Sequence, residues 1–340
     1  MGPHPAVAAV RLGVRRCLSG ALSGGGLAAG DLVLAACSGG ADSLALAAAL
    51  AFEAPRLGLD AGGVTVDHGL QPGSAERARQ VTKTLTALGL DPVQCLAVSV
   101  RRPGAGPEAA ARQARYAALE RAAGAAGAAA IMLGHTMDDQ AETVLLGLAR
   151  GSGARSLAGM PERNGRCLRP LLGISRAQTR AACAAQDLEP WDDPQNADLA
   201  FARARVRHRV LPVLEAELGP GITEALARTA GQLRADADLL DALARKETER
   251  SVSCPPGELR VDLVAGLPEA IRSRVLRNAA IAAGCPAGAL TAAHVSGLDA
   301  LATGWRGQRW IDLPGGIRAR RRYGKLLLRA RDGEDLGGRD

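Results

Sequence analysis

Between an apolar run, Leu32-Val33-Leu34-Ala35-Ala36, and an apolar helical pattern over residues 42–52 lies the turn Cys37-Ser38-Gly39-Gly40-Ala41-Asp42-Ser43. A strand that passes into a helix through adjacent glycines restricts the fold more than any other stretch of this chain. Such a turn aims backbone N–H groups and the positive end of the helix at one point, which suits phosphate oxygens. Ser38 and Ser43 add hydroxyl donors. The turn has neither the lysine of G-x-x-x-x-G-K-[ST] nor the spacing of G-x-G-x-x-G, which disfavours γ-phosphoryl transfer and dinucleotide binding. Asp42 carries a further implication: a carboxylate beside bound phosphates repels them unless a cation such as Mg2+ lies between. The competing reading is that Asp42 caps its helix.

The same unit recurs along the chain. A strand over residues 63–66 ends at Asp67-His68 and precedes a helix over 74–88. A third strand over 93–100 precedes a helix over 107–123 that carries Arg112, Arg115 and Tyr116, and a fourth over 129–133 ends at Gly134-His135 before a helix over 138–149. This alternation specifies an α/β fold, an open parallel sheet with helices on both faces. Such sheets bind ligands outside the carboxyl ends of their strands, where residues 38–43, Asp67-His68 and residues 135–142 all fall. Within the run Gly134-His135-Thr136-Met137-Asp138-Asp139-Gln140-Ala141-Glu142-Thr143, Asp139 and Glu142 are three apart and share a helix face. Two acids there can hold an ammonium group or a metal; equally, acids in a first helical turn suit the dipole, and His135 is equally a loop histidine.

With 340 residues the chain can form one α/β domain and a smaller one. Residues 1–29 read as an N-terminal helix (7–18) with a flexible glycine stretch, 30–217 as the catalytic domain, 218–332 as a smaller mainly helical domain and 333–340 as a tail. Helical patterns cover 175–186, 198–214, 222–248, 268–283 and 291–302, and strands at 308–313, 317–322 and 325–329 close the second domain as a terminal β-meander. A net charge of +7, supplied by arginine except at Lys83, Lys246 and Lys325, favours a polyanionic partner. Arg203, Arg205 and Arg207 alternate, so a helix spreads them over its surface, as an RNA contact or as a solvated face. Arg318, Arg320, Arg321 and Arg322 on the meander are candidate phosphate contacts or a plain basic hairpin. Aromatics at 2% argue against a stacking platform for single strands. None of the seven cysteines forms a C-x-x-C pair, which disfavours a structural zinc or a redox dithiol. Without a leader pattern or an apolar run long enough to span a bilayer, the expected location is cytoplasmic, away from membranes.

Together these segments resemble the N-type ATP pyrophosphatases, and among them the bacterial tRNA(Ile)-lysidine synthetases. The resemblance rests on residues 37–43, 66–70, 110–116 and 134–143, on Arg169-Pro170-Leu171-Leu172 and on Asp193-Pro194-Gln195-Asn196, and it covers residues 30–215; the remainder matches only loosely. It implies an adenine nucleotide alpha hydrolase-like fold and a two-step reaction on the wobble cytidine of the CAU anticodon of tRNA(Ile). ATP adenylates the cytosine C2 oxygen and releases pyrophosphate; free L-lysine then attacks C2 and expels AMP, giving lysidine. It further implies that Ser38, Gly39, Gly40, Ala41, Asp42 and Ser43 hold the pyrophosphate end of ATP with Mg2+ at Asp42, and that Val66 packs beside the adenine. Arg112 would stabilise charge at the α-phosphate, Asp139 and Glu142 would hold the lysine, and His135 and Asp138 would act beside them or at the Mg2+. Arg203, Arg205, Arg207, Arg318 and Arg320 would meet the tRNA.

Two features depart from the family pattern: Ala204 stands where asparagine is common, and the closing segment is that of a compact form. A sulfur-inserting tRNA enzyme (a thiolase) of the same superfamily would carry paired cysteines, which are lacking, and the alternative from another class is a non-catalytic RNA-binding protein. A homodimer is left open. Asp42→Ala is expected to abolish pyrophosphate release from ATP while leaving tRNA affinity intact in a filter-binding assay; retained turnover would identify Asp42 as a cap.

Overall fold

The computed structural model describes residues 2–67, 69, 73–98, 107–151, 153–253, 257–308 and 310–331, with the backbone alone at 107–112 and 252–253. It divides into two compact units, Met1–Arg234 and Ala235–Asp340.

In the first unit the chain runs α1 (Pro5–Ser23), β1 (Leu32–Ala36), α2 (Ala41–Glu53), β2 (Asp60–Asp67), α3 (Ser74–Ala87), β3 (Val93–Ala97), α4 (Pro107–Ala126), β4 (Ala130–Leu133), α5 (Met137–Ala149), α6 (Ala154–Leu157), β5 (Arg163–Asn164), β6 (Cys167–Leu168) and α7 (Arg176–Ala184). After these come α8 (Ala202–Arg205), a π-helical turn at Val206–Val210, and α9 (Leu211–Leu218); α10 (Ile222–Ser251) crosses into the second unit. The sheet order is β3-β2-β1-β4-β6-β5, parallel from β3 to β6.

Alternation along each strand builds two cores. Val33 and Ala35 of β1 join Ala130 and Met132 of β4 against α1, α2 and α7. Leu34, Val64, Ile131 and Leu133 point the other way, onto Leu119, Ala122 and Ala123 of α4. Strands apolar on both faces are what a sheet covered on both sides requires. Because β2 and β4 flank β1, the order reverses at β1, and the crevice beyond its carboxyl end is the expected place for a ligand.

The sheet is not wholly parallel, since β5 pairs antiparallel with β6 through a two-residue turn in which Gly165 takes φ +58°. The Asn164-Gly165 pair is a hairpin signal that the strand–helix alternation hides. Nor is the amino-terminal segment an appendage. Val7, Val10, Val14 and Leu18 recur at helical spacing and are buried in the first core, and Gly13 lets α1 approach closely, for a Cβ there would lie 2.8 Å from the Pro170 carbonyl oxygen. Arg15 holds the buried Glu53 at the end of α2 through two hydrogen bonds, 2.8 and 2.9 Å.

The second unit adds α11 (Val261–Ala265), α12 (Glu269–Ala282) and α13 (Ala292–Thr303) to the strands β7 (Val252–Ser253), β8 (Glu258–Arg260), β9 (Ile311–Leu313), β10 (Ile317–Arg322) and β11 (Lys325–Ala330). The expected meander of β9 to β11 is part of a five-stranded antiparallel sheet of order β7-β8-β11-β10-β9; β7 and β8 are too short to show a period. Leu259, Ile317, Ala319, Leu326 and Leu328 pack inward with Val275, Leu276, Leu298 and Leu301. Arg318, Arg320 and Arg322 alternate with these on the other face of β10, whereas Arg321 donates to the Leu301 and Ala302 carbonyls rather than to any outside partner. The units divide within α10, later than the boundary at residue 217 that sequence suggests, because Ile222 and Leu226 still pack beside Ala141, Val206 and Leu211. Leu18→Ala, at a fully buried position, should lower the unfolding free energy by about 2–5 kcal/mol in urea denaturation; a loss under about 1 kcal/mol would show that α1 contributes little to the core.

Candidate active site

The loop after β1 is shaped from within. Gly39 adopts φ +87°, and a Cβ there would lie 2.9 Å from Val81 Cγ2, so both conformation and space call for glycine. The Ser43 hydroxyl donates to the Gly40 carbonyl at 2.9 Å and accepts the Ser38 N–H at 3.2 Å. Ser43 thus braces the turn from within and also lines the cavity. The Trp191 N–H closes on the Gly39 carbonyl at 2.9 Å. At the end of β4, Gly134 has no room for a side chain, since a Cβ would lie 3.0 Å from the Asp42 carbonyl carbon and oxygen and 3.1 Å from the Ser43 nitrogen. That close approach brings the amino termini of α2 and α5 together.

Asp42 is not a helix cap. The N-cap of α2 is Gly40, without a side-chain hydrogen bond, and the Asp42 carboxylate instead accepts from the Thr179 hydroxyl and lies 3.7 Å from Arg176 Nε. Burial pushes its carboxyl above the ordinary value against the opposing pull of Thr179 and Arg176. Asp139 serves both of its readings. One oxygen closes a capping box on the Thr136 N–H and hydroxyl at 2.9 and 3.1 Å, while the other meets Arg176 at 3.2 Å and Arg207 at 3.5 Å. Burial alone would raise this carboxyl; Arg176, the Thr136 N–H, His135 and Arg203 outweigh it and hold it low. Asp138 accepts the backbone N–H of Arg176 at 2.8 Å, which ties the start of α7 to the start of α5.

Glu142 is fully buried. Arg207 donates to both of its oxygens, at 2.7 and 3.1 Å, and Arg203 Nε lies 3.3 Å away. Arg203 and Arg207, four apart, share one side of the helical segment and turn toward Glu142. Arg205 points elsewhere and donates to the Leu199 and Ala200 carbonyls, both at 2.8 Å. Arg176, which touches all four acids, was missed by sequence reasoning. A basic residue at the first position of a helix opposes the dipole, and that mismatch was the available signal.

Asp42, Asp139, Arg176 and Arg207 face a cavity of about 470 Å³. Val64, Val66, Tyr116 and Leu119 line it together with Ser38, Gly40, Asp42, His135, Asp139 and Arg176. The side chain of Arg112, and all of His68, lie outside the described residues. Among the described residues no group of three or more His, Cys, Asp or Glu is placed to hold a metal ion. A Mg2+ that arrives with a triphosphate needs only one or two carboxylates, and Asp42, beside the loop, fits that requirement.

A parallel sheet whose first strand ends in this loop, with an aspartate facing the cavity, defines a PP-loop protein, and the family described as "PP-loop domain" matches residues 23–214. Residues 259–327 match the "TilS substrate binding domain". The tRNA(Ile)-lysidine synthase of Thermobifida fusca (strain YX) is 61% identical over 329 residues, 97% of this chain and 99% of the relative. That of Streptomyces coelicolor is 56% identical over 352 residues, with the same two shares. The chain belongs to the tRNA(Ile)-lysidine synthase family and is an ATP-dependent PP-loop enzyme. The U34-tRNA thiolase NcsA from Methanococcus maripaludis shares the fold, with a TM-score of 0.56 at 18% identity over 67% of this chain and 79% of the other. Arg207→Ala should destabilise the protein by about 3–5 kcal/mol in chemical denaturation, the range for breaking a buried ion pair; a change below about 1 kcal/mol would mean that Arg176 and Arg203 neutralise Glu142 by themselves.

Proposed function

We propose that this protein joins free L-lysine to C2 of the wobble cytidine in the CAU anticodon of tRNA(Ile), through an adenylated cytidine, with release of pyrophosphate and AMP. The observation that carries this reading is that one cavity joins a pyrophosphate loop with Asp42 to Asp139, behind which the buried Glu142 shares Arg176 with it. The first half suits ATP, the second an ammonium group, and a carbonyl oxygen between them becomes a leaving group once it is adenylated. The names of the relatives supply the tRNA.

In this mechanism Val64 and Val66 pack against the adenine, and the backbone N–H groups of residues 38–43 receive the phosphates at the start of α2. Mg2+, bound at Asp42, would neutralise charge on the phosphate oxygens. Arg112 would stabilise the α-phosphate as pyrophosphate departs. Asp139 and Glu142 orient the amine, and His135, which lines the same cavity as Asp139, accepts the proton that the ammonium must lose before it attacks. Arg318 and Arg320 on the outer face of the second unit's sheet contact tRNA phosphates. A thiolase reaction is disfavoured because no two cysteines form a C-x-x-C pair, and burial pushes the Cys17 and Cys183 thiols up to about 11.

With ATP, labelled lysine and tRNA(Ile) bearing a CAU anticodon, pyrophosphate release should accompany incorporation of lysine into the tRNA. Pyrophosphate release without lysine transfer would exclude this reading, and tRNA binding without ATP turnover would favour a non-catalytic RNA-binding protein. In the same assay the double substitution Arg318→Ala, Arg320→Ala should weaken tRNA binding and lower its salt slope by roughly one per arginine.

A further inference from the structure

Arg176 stands between the two halves of the site and, given the function proposed above, its position bears on the order in which they fill. Its Nε lies 3.7 Å from Asp42, its Nη1 3.8 Å from Asp138, and its Nη2 3.2 Å from Asp139 and 3.4 Å from Glu142. One guanidinium therefore occupies the place where a substrate ammonium would meet Asp139 and Glu142. The side chain retains 20% exposure and lines the same cavity as the phosphate loop, so a bound triphosphate has access to it.

The charges around it are unequal. Asp42, Asp138, Asp139 and Glu142 face Arg176, Arg203 and Arg207, four carboxylates against three guanidinium groups. Phosphates on the loop would add negative charge on the Asp42 side, and a planar guanidinium binds phosphate through two parallel hydrogen bonds. Turning toward them draws Nη2 away from Asp139 Oδ1. Glu142 remains neutralised by Arg203 and Arg207, while the freed Asp139 oxygen keeps Arg207 alone, at 3.5 Å. The position left behind suits a primary ammonium.

We propose that Arg176 is a positioning residue that fills the amine site in the free protein and yields it when ATP binds, so that nucleotide and lysine bind cooperatively. This coupling presupposes the lysine-transfer reaction proposed for the same cavity. A purely structural Arg176 would pin α7 through its ion pairs, and its loss would lower stability without altering the ratio of affinities.

The test is calorimetric titration of L-lysine into the full chain, with and without saturating α,β-methylene-ATP and Mg2+. The analogue should raise lysine affinity by roughly 5- to 150-fold, the usual span for coupled sites, and saturating lysine should raise analogue affinity by the same factor. In Arg176→Gln, lysine should bind more tightly than in wild type without nucleotide, and the ratio should fall to about one. Arg176→Lys should restore part of it, and thermal melting of both variants reports whether they fold. A wild-type ratio of about one overturns the proposal, as does an unchanged ratio in Arg176→Gln; if that variant does not fold, the wild-type ratio and Arg176→Lys decide. A protein that transfers lysine to tRNA yet shows no coupling retains its function and loses this inference, whereas one that neither binds nor transfers lysine loses both.

Discussion

Three helix amino termini converge beyond the carboxyl ends of β1 and β4, and the site depends on how their like partial charges are balanced. Each terminus carries roughly half a positive charge. Asp42 lies in the first turn of α2, Asp138 and Asp139 in that of α5, and α7 begins with Arg176, a full positive charge at a positive end. The convergence is tolerable because the acids of two helices neutralise the third, and it is geometrically possible because Gly134 leaves the backbone of α2 uncrowded. An arrangement that favours anions at its centre and needs carboxylates at its rim is prepared for a phosphate and a cation together.

Much of this was legible in the chain. The strand, glycine turn and helix around residues 38–43 and the strand–helix alternation through residue 149 require only local periodicity, and the shared sheet edge follows from the topology such alternation implies. Partners distant in sequence were not legible. Asp42 meets Thr179, and Glu142 meets Arg207, pairings that no local spacing encodes. Among Arg203, Arg205 and Arg207, the spacing of four sets the first and last on one side, where both reach Glu142, and the spacing of two does not. The residue type of Ser43 allows both a phosphate donor and an internal brace, and the brace is legible only from its 2.9 Å distance to the Gly40 carbonyl.

Fold and chemistry separate clearly here. The thiolase NcsA matches the architecture at 18% identity, a likeness of fold alone. In this chain the acids of α5 are met by arginines from α7 and from the segment before α9.

The π-helical turn at Val206–Val210 acts as a phase adjuster. Val206 and Leu211 both pack with Ala141, yet they are five residues apart and would diverge by about 140° around a regular α-helix. Widening one turn to the i→i+5 pattern restores them to a common side. Arg203 and Arg207 can then face the acids of α5 while the following helix keeps its apolar contact with the same element. The extra residue in that turn works like a washer between two threaded parts: remove it, and either the charges or the packing must lose alignment.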